Sequence, residues 1–214
     1  MQKNLSSGKG VAWWKIAALL LLSVVPVAAG IVRLLGLEPG RAITLQNARF
    51  FYAPLPIFIH VLCAGVFCVF GAFQFDAQIR RRYLTLHRIS GRILVVCGAF
   101  SGLTGIWMTI IYQIPPSLQG GLLYGTRLVF GSLMVLFIAL SLFAILSKRI
   151  AGHRAWMIRA YAIGQGAGTQ VLIIAPGSII FGETIGLTRD ILMSSAWVIN
   201  LIFAEWIINR QREK

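Results

Sequence analysis

The sequence predicts an all-α polytopic membrane protein, a bundle of about six transmembrane helices with both termini in the cytoplasm. Of its 214 residues, 57% are hydrophobic and 12% are charged, whereas a soluble domain carries about 25% charged residues. The mean hydropathy is +0.79. The apolar residues also fall into six runs, each close to the ~20 residues that cross a bilayer. We therefore treat residues 1–214 as a single integral membrane domain.

The six predicted helices are numbered here in chain order. Proline marks two boundaries, because it starts helices well and ends them: the APLP segment at 53–56 opens predicted helix 2, and the IPPS segment at 114–117 closes predicted helix 3. The predicted spans are 13–35, 55–75, 89–112, 122–147, 155–180 and 191–208.

The first helix has two interpretations. Three lysines precede an apolar run that ends in small residues, a pattern typical of a cleaved signal peptide. The apolar run continues to Leu35, however, and Trp13 and Trp14 suit a membrane interface. These two features favour an uncleaved membrane helix.

The distribution of Lys and Arg predicts the orientation. The N-terminus, the 2–3 loop, the 4–5 loop and the C-terminus, with their flanking helix ends, hold fifteen basic residues: Lys3, Lys9, Lys15, Arg80, Arg81, Arg82, Arg88, Arg92, Lys148, Arg149, Arg154, Arg159, Arg210, Arg212 and Lys214. The other side holds five: Arg33, Arg41, Arg49, Arg127 and Arg189. The positive-inside rule places the first set in the cytoplasm, and we expect a multi-pass protein of the bacterial inner membrane.

Composition and motifs exclude several function classes. The formal net charge is +14, but the basic residues cluster at helix ends and form no solvated patch, which argues against nucleic-acid binding. Cys63, Cys68 and Cys97 lie inside apolar runs without metal-ligand spacing. No G-x-S-x-G or H-E-x-x-H motif is present. These observations favour a protein that is not an enzyme; the enzymatic alternative is a membrane oxidoreductase.

Two similar basic clusters precede apolar, glycine-containing helices. One contains His87, Arg88 and Arg92, and the other contains His153, Arg154 and Arg159. The N-terminus of a helix favours anions, and the cytoplasmic leaflet is rich in anionic lipid. The clusters therefore predict binding of an anion or lipid headgroup on the cytoplasmic side. The simpler alternative is a structural role in which they only anchor the helices at the membrane surface.

Glu205 is a carboxylate within predicted helix 6, where an unpaired charge costs a few kcal/mol. We expect it to pair with Arg159 first and with Arg92 second; a proton-relay role is the less favoured alternative. Gln74, Gln165 and Asn200 are expected to face the bundle interior, because an amide against lipid is poorly satisfied. Glycines in predicted helices 3 and 5 suggest that these two helices pack directly together.

Three histidines raise an alternative function. Neutral imidazole is a common haem ligand, and His87 and His153 fall at the same nominal depth, so the alternative is a haem b electron-transfer protein that uses this pair. His60 lies in the other leaflet, without a histidine partner there. A small-solute transporter is the third hypothesis. The sequence leaves the ligand, the oligomeric state and any partner beyond the lipid bilayer open.

Four segments resemble the DUF2306 group of predicted bacterial membrane proteins: FIHVLCAGVFCVFGAFQF, LHRISGR, HRAWMIRAYA and AWVINLIFAEWI. The resemblance extends from about Phe58 to Ile208. It implies the helical architecture and supplies no reaction. The matching positions are His60, Gln74, His87, Arg88, Gly91, Arg92, His153, Arg154, Trp156, Met157, Arg159, Tyr161, Asn200 and Glu205. One departure is Gln170, where such proteins often carry arginine.

Overall fold

The computed structural model describes residues 11–38, 40–182 and 184–212. Lys3, Lys9 and Lys214, which contribute to the charge distribution, lie outside the described residues. Within the described ranges the chain forms α-helices and no strand. The helices are α1 (Trp13–Leu35), α2 (Ala48–Tyr52), α3 (Pro54–Gln74), α4 (Ala77–Arg82), α5 (Leu84–Ile111), α6 (Gly121–Leu146), α7 (Ile150–Gly164), α8 (Gly166–Phe181) and α9 (Gly186–Arg212).

The predicted all-α bundle of six membrane helices is confirmed, because six helical segments are long and apolar enough to cross a membrane; the orientation of the termini stays a prediction. They are Trp13–Leu35, Pro54–Gln74, Leu84–Ile111, Gly121–Leu146, Ile150–Ile180 and Gly186–Gln211. Large apolar side chains line their outer surfaces; Leu21 and Ile179, for example, are 72% and 85% exposed. This apolar exterior is what a bilayer requires of a helical bundle.

Three predicted helices were too short. α5 and α7 each begin five residues earlier than expected, and α9 extends beyond the predicted span at both ends. The extra turns carry polar and basic residues that lower the local hydropathy. A helix tolerates such residues beyond the hydrocarbon core, since its backbone groups stay bonded within the segment.

The fifth span is divided into α7 and α8 at Gln165, which has φ −74° and ψ −1°. The backbone N–H of Gln165 still donates to the Tyr161 carbonyl at 2.9 Å, and its carbonyl accepts from Gly168 N at 3.1 Å. The interruption is therefore one residue long and leaves these backbone groups paired.

Four helices form a ring. α3 packs on α5 and α7, and α6 packs on the same two helices from the other side. α5 and α7 consequently lie across the diagonal of this ring. The predicted direct packing of the third and fifth spans was wrong in this respect. Gly98 of α5 faces Phe67 of α3 and Ile138 of α6, and Gly164 of α7 also faces Phe67.

Tyr161 of α7 connects the centre of the ring to α1 and α3. Its ring lies 5.7 Å from that of Phe67 and 4.8 Å from that of Phe75. Its hydroxyl donates to the Cys68 carbonyl at 2.6 Å and accepts from Gln165 Nε2 at 2.7 Å. Gln165 also bonds Ser23 of α1 at 3.1 Å. The polar groups of these buried residues thus satisfy one another.

The two ends of the bundle can be told apart by the residues that lie there. Ala12, Asp76 and Ile208 lie at one end, which we call the terminal end because α1 begins and α9 finishes there. Asp76 Oδ2 accepts from Ala12 N at 3.0 Å, and its Oδ1 accepts from Gln78 N and Ile79 N, both at 2.9 Å. Burial opposes ionisation, but these three bonds and Lys15 together lower the pKa of Asp76. The carboxylate therefore both caps α4 and fixes the start of α1.

The close contact between α3 and α7 depends on Gly71. A Cβ added at Gly71 would lie 2.5 Å from Cε2 of Tyr161, whose position is fixed by its buried hydrogen bonds. We expect Gly71→Ala to lower the free energy of unfolding by about 1–3 kcal/mol through overpacking, measured by thermal unfolding in detergent.

Gly125→Ala in α6 is the matched control, because a Cβ there would meet nothing within 4 Å. In a helix interior this substitution should be neutral or stabilising by up to about 1 kcal/mol. Equal melting temperatures for the two variants would contradict the packing argument.

Candidate functional site

The candidate site is the basic mouth, a group of side chains at the terminal end of the four-helix ring. It comprises His87 and Arg88 of α5, His153 and Arg154 of α7, and Arg80 of α4. His87 lies within electrostatic range of Arg80, His153 and Arg88, and Arg154 lies within range of Arg80. His87 and His153 therefore approach each other across the ring diagonal, with α4 contributing a further charge.

His153 is held by the neighbouring helix. Its Nδ1 lies 2.7 Å from Ser141 Oγ of α6 and 3.2 Å from the Ser141 carbonyl. Ser141 is completely buried, so the α6 side of the ring fixes the imidazole orientation. The other ring nitrogen, Nε2, makes no hydrogen bond to the described residues around it.

An amide–hydroxyl pair lies near the mouth on the α3–α5 side. Gln74 Nε2 donates to Ser90 Oγ at 2.8 Å, and Ser90 Oγ donates to the Leu86 carbonyl at 2.6 Å. Gly91 lies beside this amide, at a distance where an added Cβ would make only an ordinary van der Waals contact of 3.7 Å with Gln74 Oε1. Gln74 therefore joins α3 to α5 one turn away from His87.

The backbone amides of the two histidines are already bonded. His87 N donates to the Tyr83 carbonyl at 2.9 Å, and His153 N donates to the Arg149 carbonyl at 3.0 Å. The sequence-based expectation that each cluster lies at the N-terminus of a helix, where backbone N–H groups favour anions, was wrong for both histidines, because both helices begin a turn earlier. Any anion in the mouth would therefore be bound by side chains.

Glu205 pairs with Arg159, the first of the two partners named from the sequence. Arg159 Nε lies 2.5 Å from Glu205 Oε1, and Arg159 Nη2 lies 2.7 Å from Oε2. The side chains are 15% and 44% exposed, respectively, and the guanidinium lies 4.5 Å from the centre of the Trp156 ring. This bidentate pair joins α7 to α9 and separates Arg159 from the basic mouth.

The remaining predicted site residues are dispersed. Arg92 is exposed on α5. His60 lies towards the other end of the bundle, where its Nδ1 is 3.0 Å from the Ser101 carbonyl and 3.1 Å from Thr104 Oγ1. Asn200 of α9 accepts from Thr169 at 2.8 Å and donates to the Ala162 carbonyl at 3.0 Å. The histidines therefore do not form one site, and no group of three or more His, Cys, Asp or Glu side chains among the described residues could hold a metal ion.

Sequence reasoning missed three residues, two of them at the basic mouth and one, Asp190, at the opposite end of the bundle. From the sequence, Arg80 was used only as one of the basic loop residues that predict the orientation. Nothing in the pattern of α6 marks Ser141 as the partner of His153. Asp190 of α9 is 2% exposed and accepts from Gly120 N and Leu123 N of α6, both at 3.0 Å. An aspartate inside an apolar span is the signal that would have revealed it.

The fold and the charged helix ends define a multi-pass helical membrane protein. The family model DUF2306, described as a predicted membrane protein, matches residues 57–208. The chain belongs to this family. The match includes the basic mouth and the Arg159–Glu205 pair. No curated protein and no solved structure matches the chain.

The Arg159–Glu205 pair predicts a stability effect. Glu205→Gln leaves the mostly buried guanidinium without its carboxylate. Breaking a buried pair costs about 3–5 kcal/mol, whereas an exposed pair contributes at most about 1 kcal/mol. We therefore expect an intermediate loss of about 1–3 kcal/mol, seen as a lower melting temperature in detergent.

Glu38→Gln is the control for this prediction, because it removes the same charge from an exposed position. If both variants melt at the wild-type temperature, the pair does not stabilise the contact between α7 and α9.

Proposed function

We propose that the basic mouth binds the phosphate of an anionic lipid headgroup on the cytoplasmic leaflet. The observation that carries the proposal is the convergence of Arg80, His87, His153 and Arg154 at one end of the ring. All of these side chains can donate hydrogen bonds, and they come from three different helices, α4, α5 and α7. Like charges brought together at a membrane surface favour an anion between them.

The position of the nearby acids supports the proposal. Asp76 is occupied by three backbone N–H groups, and Glu205 is engaged with Arg159. Neither carboxylate is among the charges that act on His87 or Arg154. The cationic side chains of the mouth thus keep their capacity for an external anion.

The location also agrees with a lipid ligand. The mouth lies at the terminal end, on the side to which the sequence assigns fifteen of the twenty basic residues, and the positive-inside rule places that side in the cytoplasm. In this proposal the protein resides in the bacterial inner membrane and recognises lipid at its cytoplasmic surface.

The test compares two doubly substituted variants of equal charge. Arg80→Gln/Arg154→Gln removes two guanidinium groups from the mouth, and Arg81→Gln/Arg92→Gln removes two exposed ones from α4 and α5. A hydrogen bond from a guanidinium group to the bound phosphate contributes about 1 kcal/mol, and the mouth variant loses two such groups whereas the control variant keeps both. The mouth variant should therefore bind phosphatidylglycerol roughly 30-fold more weakly, as measured by native mass spectrometry of lipid adducts.

Thermal unfolding in nanodiscs provides the second readout. Phosphatidylglycerol, compared with phosphatidylcholine alone, should raise the melting temperature of the wild type and of the control variant. It should have little effect on the mouth variant. An equal lipid effect in all three proteins would refute the proposal.

A second candidate function, haem b binding, is favoured by one observation. The Ser141 hydrogen bond to His153 Nδ1 leaves Nε2 available, which is how ligating histidines are usually oriented. A reduced-minus-oxidised spectrum of protein from haem-replete cells separates the two candidates. Lipid binding predicts a colourless preparation. Soret and α bands that disappear in His87→Ala and His153→Ala would instead establish haem.

A further inference from the structure

Four of the five arginines on the opposite end of the bundle converge, although they belong to four different helices. We call Arg33 of α1, Arg49 of α2, Arg127 of α6 and Arg189 of α9 the arginine cluster. Arg49 lies within electrostatic range of Arg33, and Arg127 lies within range of both Arg49 and Arg189. The positive-inside rule disfavours basic residues at this end, so topology does not account for their grouping.

Phe50 organises one side of the cluster. The Arg49 guanidinium lies 4.4 Å from the centre of the Phe50 ring, and the Arg33 guanidinium lies 5.2 Å from it. Phe50 is 6% exposed and makes an edge contact with Tyr112, with ring centres 5.6 Å apart. A buried ring with this support holds two cations close to each other.

The other side of the cluster is anchored to the start of α6. Arg127 donates to Gln119 Oε1, and Asp190 next to Arg189 accepts from Gly120 N and Leu123 N. Asp190 is the one carboxylate among the described residues that acts on Arg127. One carboxylate against four guanidinium groups leaves three positive charges uncompensated by these side chains.

Several donors in the cluster lack a protein partner. Nη1 of Arg49 and Nε of Arg189 are buried and donate to no acceptor within the described structure. Oγ1 of Thr184, a residue that is 7% exposed, likewise has no hydrogen-bond partner there. Burial and the neighbouring Arg33 charge lower the pKa of Arg49. Buried donors without acceptors cost free energy, and repulsion among like charges adds to that cost.

We propose that the arginine cluster binds a phosphate-type oxyanion at the end of the bundle opposite the basic mouth. Guanidinium groups are suited to bidentate recognition of phosphate and carboxylate. Four of them, contributed by four helices, exceed what the two oxygens of one carboxylate accept, which favours phosphate. The phosphate can come from a lipid headgroup or from the solution, and the experiment distinguishes these sources.

The experiment measures thermal unfolding of the purified full chain in two formats. In detergent, inorganic phosphate is compared with chloride at equal ionic strength. In nanodiscs, phosphatidylglycerol is compared with phosphatidylcholine. A shift with inorganic phosphate indicates a soluble oxyanion, and a shift with phosphatidylglycerol alone indicates a lipid. Each measurement is repeated in the Arg80→Gln/Arg154→Gln variant. A shift in melting temperature that persists there cannot come from the basic mouth.

Arg49→Gln and Arg33→Gln test the cluster, with Arg41→Gln as the control, because Arg41 is exposed and lies at the same end. Without an anion, Arg49→Gln should melt at or above the wild-type temperature, since it relieves repulsion. With the anion it should melt below the wild type and bind about tenfold more weakly. Arg33→Gln changes a more exposed residue and keeps the test valid if Arg49→Gln does not fold.

The alternative to an external anion is that the carboxylate of Glu183, which lies outside the described residues, neutralises the arginine cluster. Glu183→Gln tests this alternative. If the cluster binds an external oxyanion, the wild type already shows the shift and Glu183→Gln retains it. If neither inorganic phosphate nor phosphatidylglycerol shifts the wild type, or if Arg33→Gln and Arg49→Gln keep the full shift, the proposal is wrong.

Discussion

The hydrocarbon core of a bilayer offers no hydrogen bonds to a polar group, and the interior of this bundle is arranged around that constraint. Gln165 donates a hydrogen bond to the Tyr161 hydroxyl, which in turn donates to the Cys68 carbonyl, and Gln165 also bonds Ser23. The helices must approach closely for this to happen. Gly168 permits it on α8, because a Cβ there would clash with the Leu22 backbone of α1.

The same constraint explains why charge is confined to particular places. Arg159 and Glu205 neutralise each other between α7 and α9, and Asp190 is satisfied by amides at the start of α6. The basic mouth and the arginine cluster differ from these pairs, because the described residues provide too little negative charge for them. Unbalanced charge at both ends of an otherwise satisfied bundle is therefore the main indication of ligands.

The sequence predicted the helices well, because the length and hydropathy of a span are local properties. α1 matches its predicted bounds, and the Glu205 partner followed from the small number of cations at that depth. The Ser141–His153 contact and the clustering of Arg33, Arg49, Arg127 and Arg189 could not be predicted. Both depend on which helices become neighbours in the ring, and a single sequence with one hydrophobic pattern per helix does not determine that order.

The bond between Ser23 and Gln165 joins residues 142 positions apart, which has a consequence for biosynthesis. At about 5–20 residues per second, a ribosome needs about 7–28 s to reach Gln165 after Ser23. α1 enters the membrane during that interval without its later partner. Ser23 Oγ also donates to the Leu19 carbonyl of its own helix at 2.9 Å. Its hydroxyl therefore has a hydrogen-bond partner before Gln165 is synthesised. The first helix can thus insert alone and still present an acceptor to the fifth span when that span arrives.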